Sequence, residues 1–293
     1  MIDIHCHGGA GISFDNASED VDIALNMHKL HGTSKHCLSL ITAPWNNLLN
    51  RVHELSQLSQ KRADILGLHL EGPFISPNAK GAHNEEHLLM PSKMHIDELL
   101  EVADNQLLHI TLAPELLENN AIIKQLRNAG VMCAIGHTAS DYNTTLDALR
   151  AGATHLTHIF NTMPSIHHRM PGPIMAAYDY FQRGNQISIE LICDRIHVLD
   201  PLVRLVFDMF TNKKGETAVV LITDSMSAAG MDDGNYELGS LAVTVTNSTA
   251  YLTGTTTLAG STLTMDVAIK NAVKAGVQEE LVEQASNFVP YWC

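Results

Sequence analysis

The sequence has no uncharged apolar run of about 18 residues, the length that spans a membrane, and no charged and apolar start of the kind a secretory signal needs. Basic residues are also few, with 18 Lys and Arg against 32 Asp and Glu, which gives a formal net charge of −14. Such a chain repels the phosphates of nucleic acids and anionic membranes, so we expect neither as a partner. These absences favour a cytoplasmic protein.

Cysteines are few and show no paired or CxxC spacing; they are Cys6, Cys37, Cys133, Cys193 and Cys293. Four of the five fall within apolar, strand-like runs, where cysteine usually serves as a small buried hydrophobe. The pattern argues against a disulfide framework and agrees with the cytosol.

Histidine is abundant, with 17 residues against 18 Lys and Arg together, and this imbalance hints at metal or acid–base chemistry. With 293 residues, 45% of them hydrophobic, the chain can bury a large core. This length fits two ordinary domains or one α/β barrel.

Short apolar runs alternate with helix-like segments, which is typical of repeated βα units. The eight runs are 2–7, 36–42, 65–71, 108–114, 131–137, 155–160, 187–193 and 218–223. Helical patterns cover 20–30, 45–60, 94–103, 121–128, 142–151 and 201–210. We therefore predict an α/β fold, a (β/α)8 TIM-like barrel with its active site at the carboxyl ends of the strands.

The pattern changes after the eighth run. Residues 236–257 read as two alternating β segments around residues 246–248, and helices are predicted over 261–275 and 278–287. We expect one catalytic barrel domain over residues 1–293, with a hairpin-like β insertion at about 236–257.

Five predicted strands end in or near side chains that can bind a metal: His7, Glu71, His137, His158 and Asp224. His5 lies two residues before His7, so both imidazoles point to the same face of the first strand. An alternative is that Asp224 and Thr138 cap the following helices. That reading is weak for His and Glu, which are not preferred caps.

Imidazoles with a carboxylate are the usual ligands of Zn²⁺ or a similar cation. The candidate ligands are His5, His7, Glu71, His137 and His158. Asp224, opposite them, could take a proton from an attacking water and pass it to a leaving amine. This set of residues predicts metal-assisted hydrolysis.

Several segments together resemble the N-acetylglucosamine-6-phosphate deacetylases of the amidohydrolase superfamily, in family order from residue 2 to about 287. They are His-x-His at 5–7, Leu-Glu-Gly-Pro-Phe at 70–74, Lys-Gly-Ala-His at 80–83, Gly-His-Thr at 136–138, Thr-His-Ile-Phe-Asn-Thr-Met at 157–163, His-His-Arg at 167–169, Thr-Asp at 223–224 and Leu-Ala-Gly-Ser at 258–261. The His pair alone marks the whole superfamily. Glu-Gly-Pro-Phe followed by Lys-Gly-Ala-His is much more specific.

The resemblance implies hydrolysis of the N-acetyl group of N-acetylglucosamine 6-phosphate, in amino-sugar catabolism, by a homodimer. It implies that Glu71, His137 and His158 hold a main divalent ion and that Asp224 is the catalytic acid and base. The pair His5 and His7 would hold a second ion, so one or two ions bind. Zinc is the expected metal, with iron, manganese and cobalt as alternatives.

The resemblance also implies a set of contacts to the amino-sugar phosphate. These residues are Ala82, His83, Asn161, Thr162, Arg169, His197, Leu258, Ala259 and Gly260. The planar guanidinium of Arg169 suits the phosphate oxygens.

Three departures from the family stand out. Arg195 replaces the glycine that usually precedes the histidine of strand seven, where it could add charge for the phosphate or obstruct the pocket. Met170 stands where an acidic residue is common, and the small β-sandwich domain is expected to be largely absent. We therefore hypothesise that the chain is a shortened family member of marginal stability.

Two alternatives to the implied activity stay open. The substrate could be the galactosamine isomer, or the chain could be a non-catalytic remnant that binds metal.

Other histidines have plainer interpretations. His69 either supports a metal ligand or is an ordinary core histidine, and His155 is expected to be structural. His167 and His168 are expected in a solvated or subunit-contact loop. The remaining candidates for surface or packing positions are His28, His31, His53, His87, His95 and His109.

Overall fold

The computed structural model describes residues 1–16, 20–118 and 120–288, so Cys293 lies outside the described residues. Its strands are β1 (Ile2–Cys6), β2 (Gly8–Gly9), β3 (Ile12–Ser13), β4 (Lys35–Ile41), β5 (Ile65–Glu71), β6 (Leu107–Leu112), β7 (Met132–Ile135), β8 (His155–Leu156), β9 (Ser188–Ile192), β10 (Val219–Ile222), β11 (Gly234–Leu238), β12 (Leu241–Thr246) and β13 (Thr249–Leu252). Its helices are α1 (Val21–Leu30), α2 (Trp45–Ser59), α3 (Lys93–Ala103), α4 (Ala121–Asn128), α5 (Tyr142–Ala151), α6 (Gly172–Gln182), α7 (Asp200–Met209), α8 (Met265–Lys274) and α9 (Glu279–Ser286).

Eight parallel strands form one sheet in the order β1-β4-β5-β6-β7-β8-β9-β10. The sheet closes on itself, because the main-chain N–H of Asp224 donates to His5 O at 2.9 Å and that of His7 donates to Ser225 O at 2.8 Å. A parallel bridge between Cys6 and Ser225 lies at the same seam. The predicted (β/α)8 barrel is thus confirmed.

The strands form where apolar runs can be buried on both faces, as in β10, whose four residues are all buried. The helices lie outside and bury one apolar face each; α2, for example, buries Leu48, Val52 and Leu55. Acidic side chains cap two of them, since Asp20 accepts from Asp22 N and Asp141 from Thr144 N. The main core therefore lies between the strands and the helices.

Two elements of the barrel differ from the prediction. The sixth barrel strand, β8, covers only His155–Leu156, because the backbone of His158 and Phe160 has left-handed φ values of 23° and 75°. Helix α6 is not predicted from the sequence, because its Pro-Gly-Pro start has the composition of a loop. In the structure the first residues of the helix are buried.

The segment after β10 contains three antiparallel strands, β11 to β13, and not two. Gly239 at φ 56° and the pair Asn247 and Ser248 at 52° and 58° make the two turns. The apolar face of this sheet packs against Ile41 and Met226 beside the mouth of the barrel. The sheet therefore forms part of the wall above the strand ends.

Of the nine helices in the described part of the chain, none is both long and apolar enough to cross a membrane. The described cysteines, Cys6, Cys37, Cys133 and Cys193, are all buried and form no disulfide. This agrees with the role predicted for them as small apolar side chains.

Candidate metal centre and active site

A pocket of about 270 Å³ opens at the carboxyl ends of the barrel strands. Its volume is close to the lower end of the usual range for small-molecule sites, about 300 Å³. Its lining consists of His7, Ile41, Glu71, Gly81, Ala82, His83, His137, His158, Asn161, Thr162, Ile192, His197, Asp224, Leu238, Thr256, Thr257, Leu258 and Gly260. Among these described lining residues there is no Lys or Arg.

One group of donor atoms lies around one oxygen of Glu71. His137 Nε2 is 3.0 Å and His158 Nε2 is 2.9 Å from Glu71 Oε1, and the two nitrogens are 3.0 Å apart. Donors that share one ion at 2.0–2.2 Å lie roughly 3.0–3.5 Å from each other. The three atoms therefore have the separations of a preformed metal site.

A second group lies on the other side of Glu71. His5 Nε2 and His7 Nε2 are 3.1 Å apart, and His7 Nε2 is 3.2 Å from Glu71 Oε2. Asp224 Oδ1 lies 3.5 Å from His5 Nε2 and 3.4 Å from His7 Nε2. The carboxylate of Glu71 thus lies between two donor groups, so the site can hold two ions.

The loops that follow the strands aim these side chains with unusual backbone geometry. His137, His158 and Asp224 all have left-handed φ values, 46°, 23° and 49°. Such conformations cost energy for residues other than glycine and cluster at functional sites. The capping alternative for Thr138 and Asp224 is wrong, since the next helices begin at Tyr142 and Met265.

Carboxylates dominate the electrostatics of the second group. Burial lowers the pKa of His7, but hydrogen bonds to Asp224 and Glu71 outweigh burial and raise that pKa to about 10. The pKa of Glu71 is held well below its usual range by His5 and His137, although burial alone would raise it. The negative electrostatic potential of these carboxylates, which favours protonated imidazoles, also stabilises a divalent cation. The cation replaces the protons when it binds.

The donor chemistry therefore fits the metal that the sequence predicts. Imidazole nitrogens and carboxylate oxygens converge without any Lys or Arg among the described side chains of the pocket to neutralise them. This set suits zinc and the neighbouring divalent ions alike.

Seven of the predicted substrate residues line the pocket: Ala82, His83, Asn161, Thr162, His197, Leu258 and Gly260. Ala259 is buried beside them and is not part of the lining. Arg169 is exposed and its Nη1 lies 2.8 Å from His168 Nε2, so the structure does not bring it to the pocket wall.

Two of the pocket histidines are held by neighbours that the sequence did not single out. His197 Nδ1 lies 2.6 Å from Asp194 Oδ2, and His83 Nδ1 lies 2.8 Å from Thr42 Oγ1. Burial, followed by the charge of His137, lowers the pKa of His83 to about 4. A neutral His83 can therefore donate to or accept from a ligand at neutral pH.

Arg195 neither blocks the pocket nor lines it. Its guanidinium makes two bonds to the carboxylate of Asp200, at 2.9 and 2.8 Å. Its φ of 67° lies in the region that favours glycine, which is the residue expected at this position in the family.

The remaining histidines separate into support and packing. His69 bonds to Ser39 Oγ and Thr111 Oγ1, both at 2.9 Å, and its ring packs on that of His5. His155 bonds to Glu190, whereas His168 is exposed and His167 is partly exposed in their loop. His28 and His109 are buried packing residues, whereas His31, His53, His87 and His95 are partly or fully exposed.

Two buried carboxylates around the site were missed in the sequence. Asp3 accepts a hydrogen bond of 2.6 Å from Thr223 Oγ1 and so ties β1 to the end of β10. Glu190 accepts one of 2.9 Å from His5 Nδ1. The available signal was a single acidic residue in each of two strand-like runs, 2–7 and 187–193.

The barrel and its donor groups define a metal-dependent hydrolase. No protein-family model matches the chain. It is 35% identical over 305 residues to the N-acetylglucosamine-6-phosphate deacetylase of Bos taurus, covering 99% of this chain and 72% of that protein. The chain belongs to the N-acetylglucosamine-6-phosphate deacetylase family.

Two further similarities extend this result. The N-acetylgalactosamine-6-phosphate deacetylase of Escherichia coli O157:H7 is 35% identical over 277 residues, covering 93% of this chain and 71% of that protein. The solved structure of a mutant N-acetyl-D-glucosamine-6-phosphate deacetylase from Mycobacterium smegmatis, in complex with N-acetyl-D-glucosamine-6-phosphate, superposes with a TM-score of 0.90 at 36% identity. That match covers 97% of this chain and 73% of the other.

Proposed function

We propose that this chain hydrolyses the N-acetyl group of N-acetylglucosamine 6-phosphate to give glucosamine 6-phosphate and acetate. The observation that carries the proposal is the pair of donor groups around Glu71, with Asp224 beside them, in a pocket at the carboxyl ends of the barrel strands. Membership of the deacetylase family supports the same reaction.

We assign the metal ligands as two sets. Glu71, His137 and His158 hold the main ion, and His5 and His7 hold a second ion on the other side of Glu71. A bound divalent ion would lower the pKa of a water toward neutrality and polarise the acetyl carbonyl. Zinc is our choice of metal because imidazole and carboxylate are its usual ligands.

Asp224 is the proposed acid and base. Burial would raise its pKa, but His5 and His7 lower it, so the carboxylate is ionised at neutral pH and can accept a proton. It would take that proton from the attacking water and then donate it to the nitrogen of the departing sugar amine. Its Oδ1 lies 3.4 Å from His7 Nε2, at the edge of the donor group where the attack would occur.

The pocket wall would bind the sugar. Ala82, His83, Asn161, Thr162, His197, Leu258 and Gly260 line it, and Ala259 would shape the turn behind them. His83 and His197 are the polar contacts with the firmest support, since each ring is anchored through Nδ1. The contact between Arg169 and the phosphate stays a prediction that rests on the family motif.

The oligomeric state and the compartment are part of the same proposal. The homodimer follows from the resemblance, and the cytosol agrees with the buried cysteines of the described chain, which form no disulfide. A single catalytic unit that includes the three-stranded sheet agrees with the packing of that sheet on Ile41 and Met226.

The test is amine release from both phosphorylated amino sugars by purified protein that has been stripped of metal and reloaded with Zn²⁺. We expect N-acetylglucosamine 6-phosphate to react with a kcat/KM at least about tenfold above that of the galactosamine isomer. Faster reaction of the galactosamine isomer would support the proposed hydrolysis but show that this isomer is the preferred substrate. Bound zinc without amine release from either sugar would contradict the proposed hydrolysis and favour a metal-binding remnant.

A further inference from the structure

Glu190 is a carboxylate in the middle of β9, inside the barrel and below the floor of the pocket, and it is fully buried. One of its oxygens, Oε2, accepts from His5 Nδ1 at 2.9 Å and from the main-chain N–H of His158 at 3.1 Å. These two residues belong to different donor groups of the metal centre. A single oxygen atom therefore contacts both halves of the site.

The other oxygen holds the carboxylate in place. Glu190 Oε1 lies 2.8 Å from His155 Nε2 and 3.7 Å from His109 Nε2. With one oxygen held by His155 on β8 and the other directed at the site, the carboxylate has little freedom to rotate.

The contact decides which nitrogen of His5 is free. An ionised carboxylate only accepts hydrogen bonds, so His5 Nδ1 must carry a proton. Nε2 is then the atom that offers a lone pair, and it points to His7 and Asp224 at 3.1 and 3.5 Å. Carboxylates behind metal-binding histidines commonly fix the ring in this way.

We propose that Glu190 is a positioning residue that fixes the ring and tautomer of His5 and the main chain at His158, and so links the two ion subsites. The inference rests on the proposed function only in assigning His5 and His158 to ions. At His158 the bond holds a backbone with φ of 23°, a conformation that needs external support. Without Glu190, His5 is free to rotate or to present the wrong nitrogen.

The first test is Glu190→Gln, which keeps the shape of the side chain but replaces one acceptor oxygen by a donor. We expect the affinity for Zn²⁺ at the His5 subsite to fall about 10- to 100-fold, measured by titrating metal-free protein against a competing chelator. The matched control is His155→Gln, which retains a donor to the same carboxylate and contacts no proposed ligand. Its zinc affinity should stay within about twofold of the parent.

Zinc affinity within twofold of the parent in a folded Glu190→Gln protein overturns the proposal, as does an equal loss in the control. Turnover is not part of this readout. If the parent protein releases no amine but Glu190→Gln loses zinc affinity, the proposed function is refuted and this inference stands. If the parent protein releases amine but Glu190→Gln keeps its zinc affinity, this inference is refuted and the proposed function stands.

A second measurement needs no variant and serves if Glu190→Gln does not fold. In ¹⁵N spectra of the zinc-loaded parent protein, His5 should bind zinc through Nε2 and retain a slowly exchanging proton on Nδ1. Ligation through Nδ1, or a rapidly exchanging Nδ1 proton, would show that Glu190 does not position the ring.

Discussion

His5 and His69 lie side by side inside the barrel, with ring centroids 4.4 Å apart, and both side chains are fully buried. Burial lowers the pKa of each imidazole. For His5 the nearby carboxylates, Glu190 and Glu71 first, more than reverse the effect and raise its pKa well above the usual value. For His69, His109 adds to the effect of burial, and the pKa falls well below the usual value.

The same contrast divides the other buried histidines. His7 and His158 lie against carboxylates and have raised pKa values, whereas burial lowers the pKa of His36 to about 3 and that of His109 to about 4. Depth in the barrel therefore does not decide the direction in which the pKa of an imidazole shifts. The direction depends on whether carboxylates such as Glu71, Asp224 and Glu190 outweigh the effect of burial, as they do at His5, His7 and His158.

The largest effect should follow from removing the carboxylate between the donor groups. In Glu71→Ala the proposed subsite of His137 and His158 and the proposed subsite of His5 and His7 both lose an oxygen donor. We expect loss of bound zinc at both and turnover at least about 10⁴-fold lower. Metal analysis and amine release would measure this, and a variant that retains one full ion would show that Glu71 serves a single subsite.

The next effect separates chemistry from ligation. Asp224→Asn keeps the size of the side chain and removes the base, so turnover should fall about 10²- to 10⁴-fold. The ion held by Glu71, His137 and His158 should remain at full occupancy, as measured by metal analysis of the same sample. Loss of that ion would instead make Asp224 an essential ligand.

A matched pair of substitutions tests the contrast itself. His5→Gln should reduce zinc bound at the second subsite, while His69→Gln should leave the number of bound ions unchanged. His69→Gln should still reduce the free energy of unfolding by about 1–3 kcal/mol, because Ser39 and Thr111 lose well-placed buried partners. Equal metal loss in both variants would mean that contact with the carboxylates does not distinguish a metal-binding histidine such as His5 from a packing histidine such as His69.

The effect with the least bearing on the metal centre concerns pH and lies away from the pocket. His36 has a folded pKa of about 3, lowered by burial, against an ordinary value of 6.5, so between these pH values the unfolded chain binds more protons. Its contribution to stability is therefore complete above pH 6.5 and is lost as pH falls toward 3, at about 1.4 kcal/mol per pH unit. Urea unfolding at pH 7, 5 and 4 should show a shallower acid loss for His36→Gln than for the parent. Parallel slopes would indicate that His36 is accessible to protons in the folded state.

Much of the fold follows from the sequence because its cause is local. Apolar runs alternate with amphipathic segments, and the strand ends bring distant side chains to one edge whatever the details of the loops. The ligand types at the ends of the predicted strands, such as Glu71 and His137, could be found in that way. The short sixth strand could not, since the left-handed turn at His158 depends on contacts such as its bond to Glu190.

The supporting groups were harder to predict for a different reason. The role of Glu190 arises from its bonds to His5, His155 and His158, which come from other strands or loops. In sequence it is only an acidic residue within the apolar run 187–193. The position of Arg169 depends on the path of an exposed loop, and no strand register constrains it.

The closure of the barrel at the seam of Cys6 and Ser225 also sets the order in which the site can assemble. These residues are 219 positions apart in the chain. At a synthesis rate of about 5–20 residues per second, β1 leaves the ribosome roughly 10–45 s before its partner strand is made. During that interval His5 and His7 cannot meet Asp224, so a nascent chain would acquire the second donor group only when its eighth barrel strand docks.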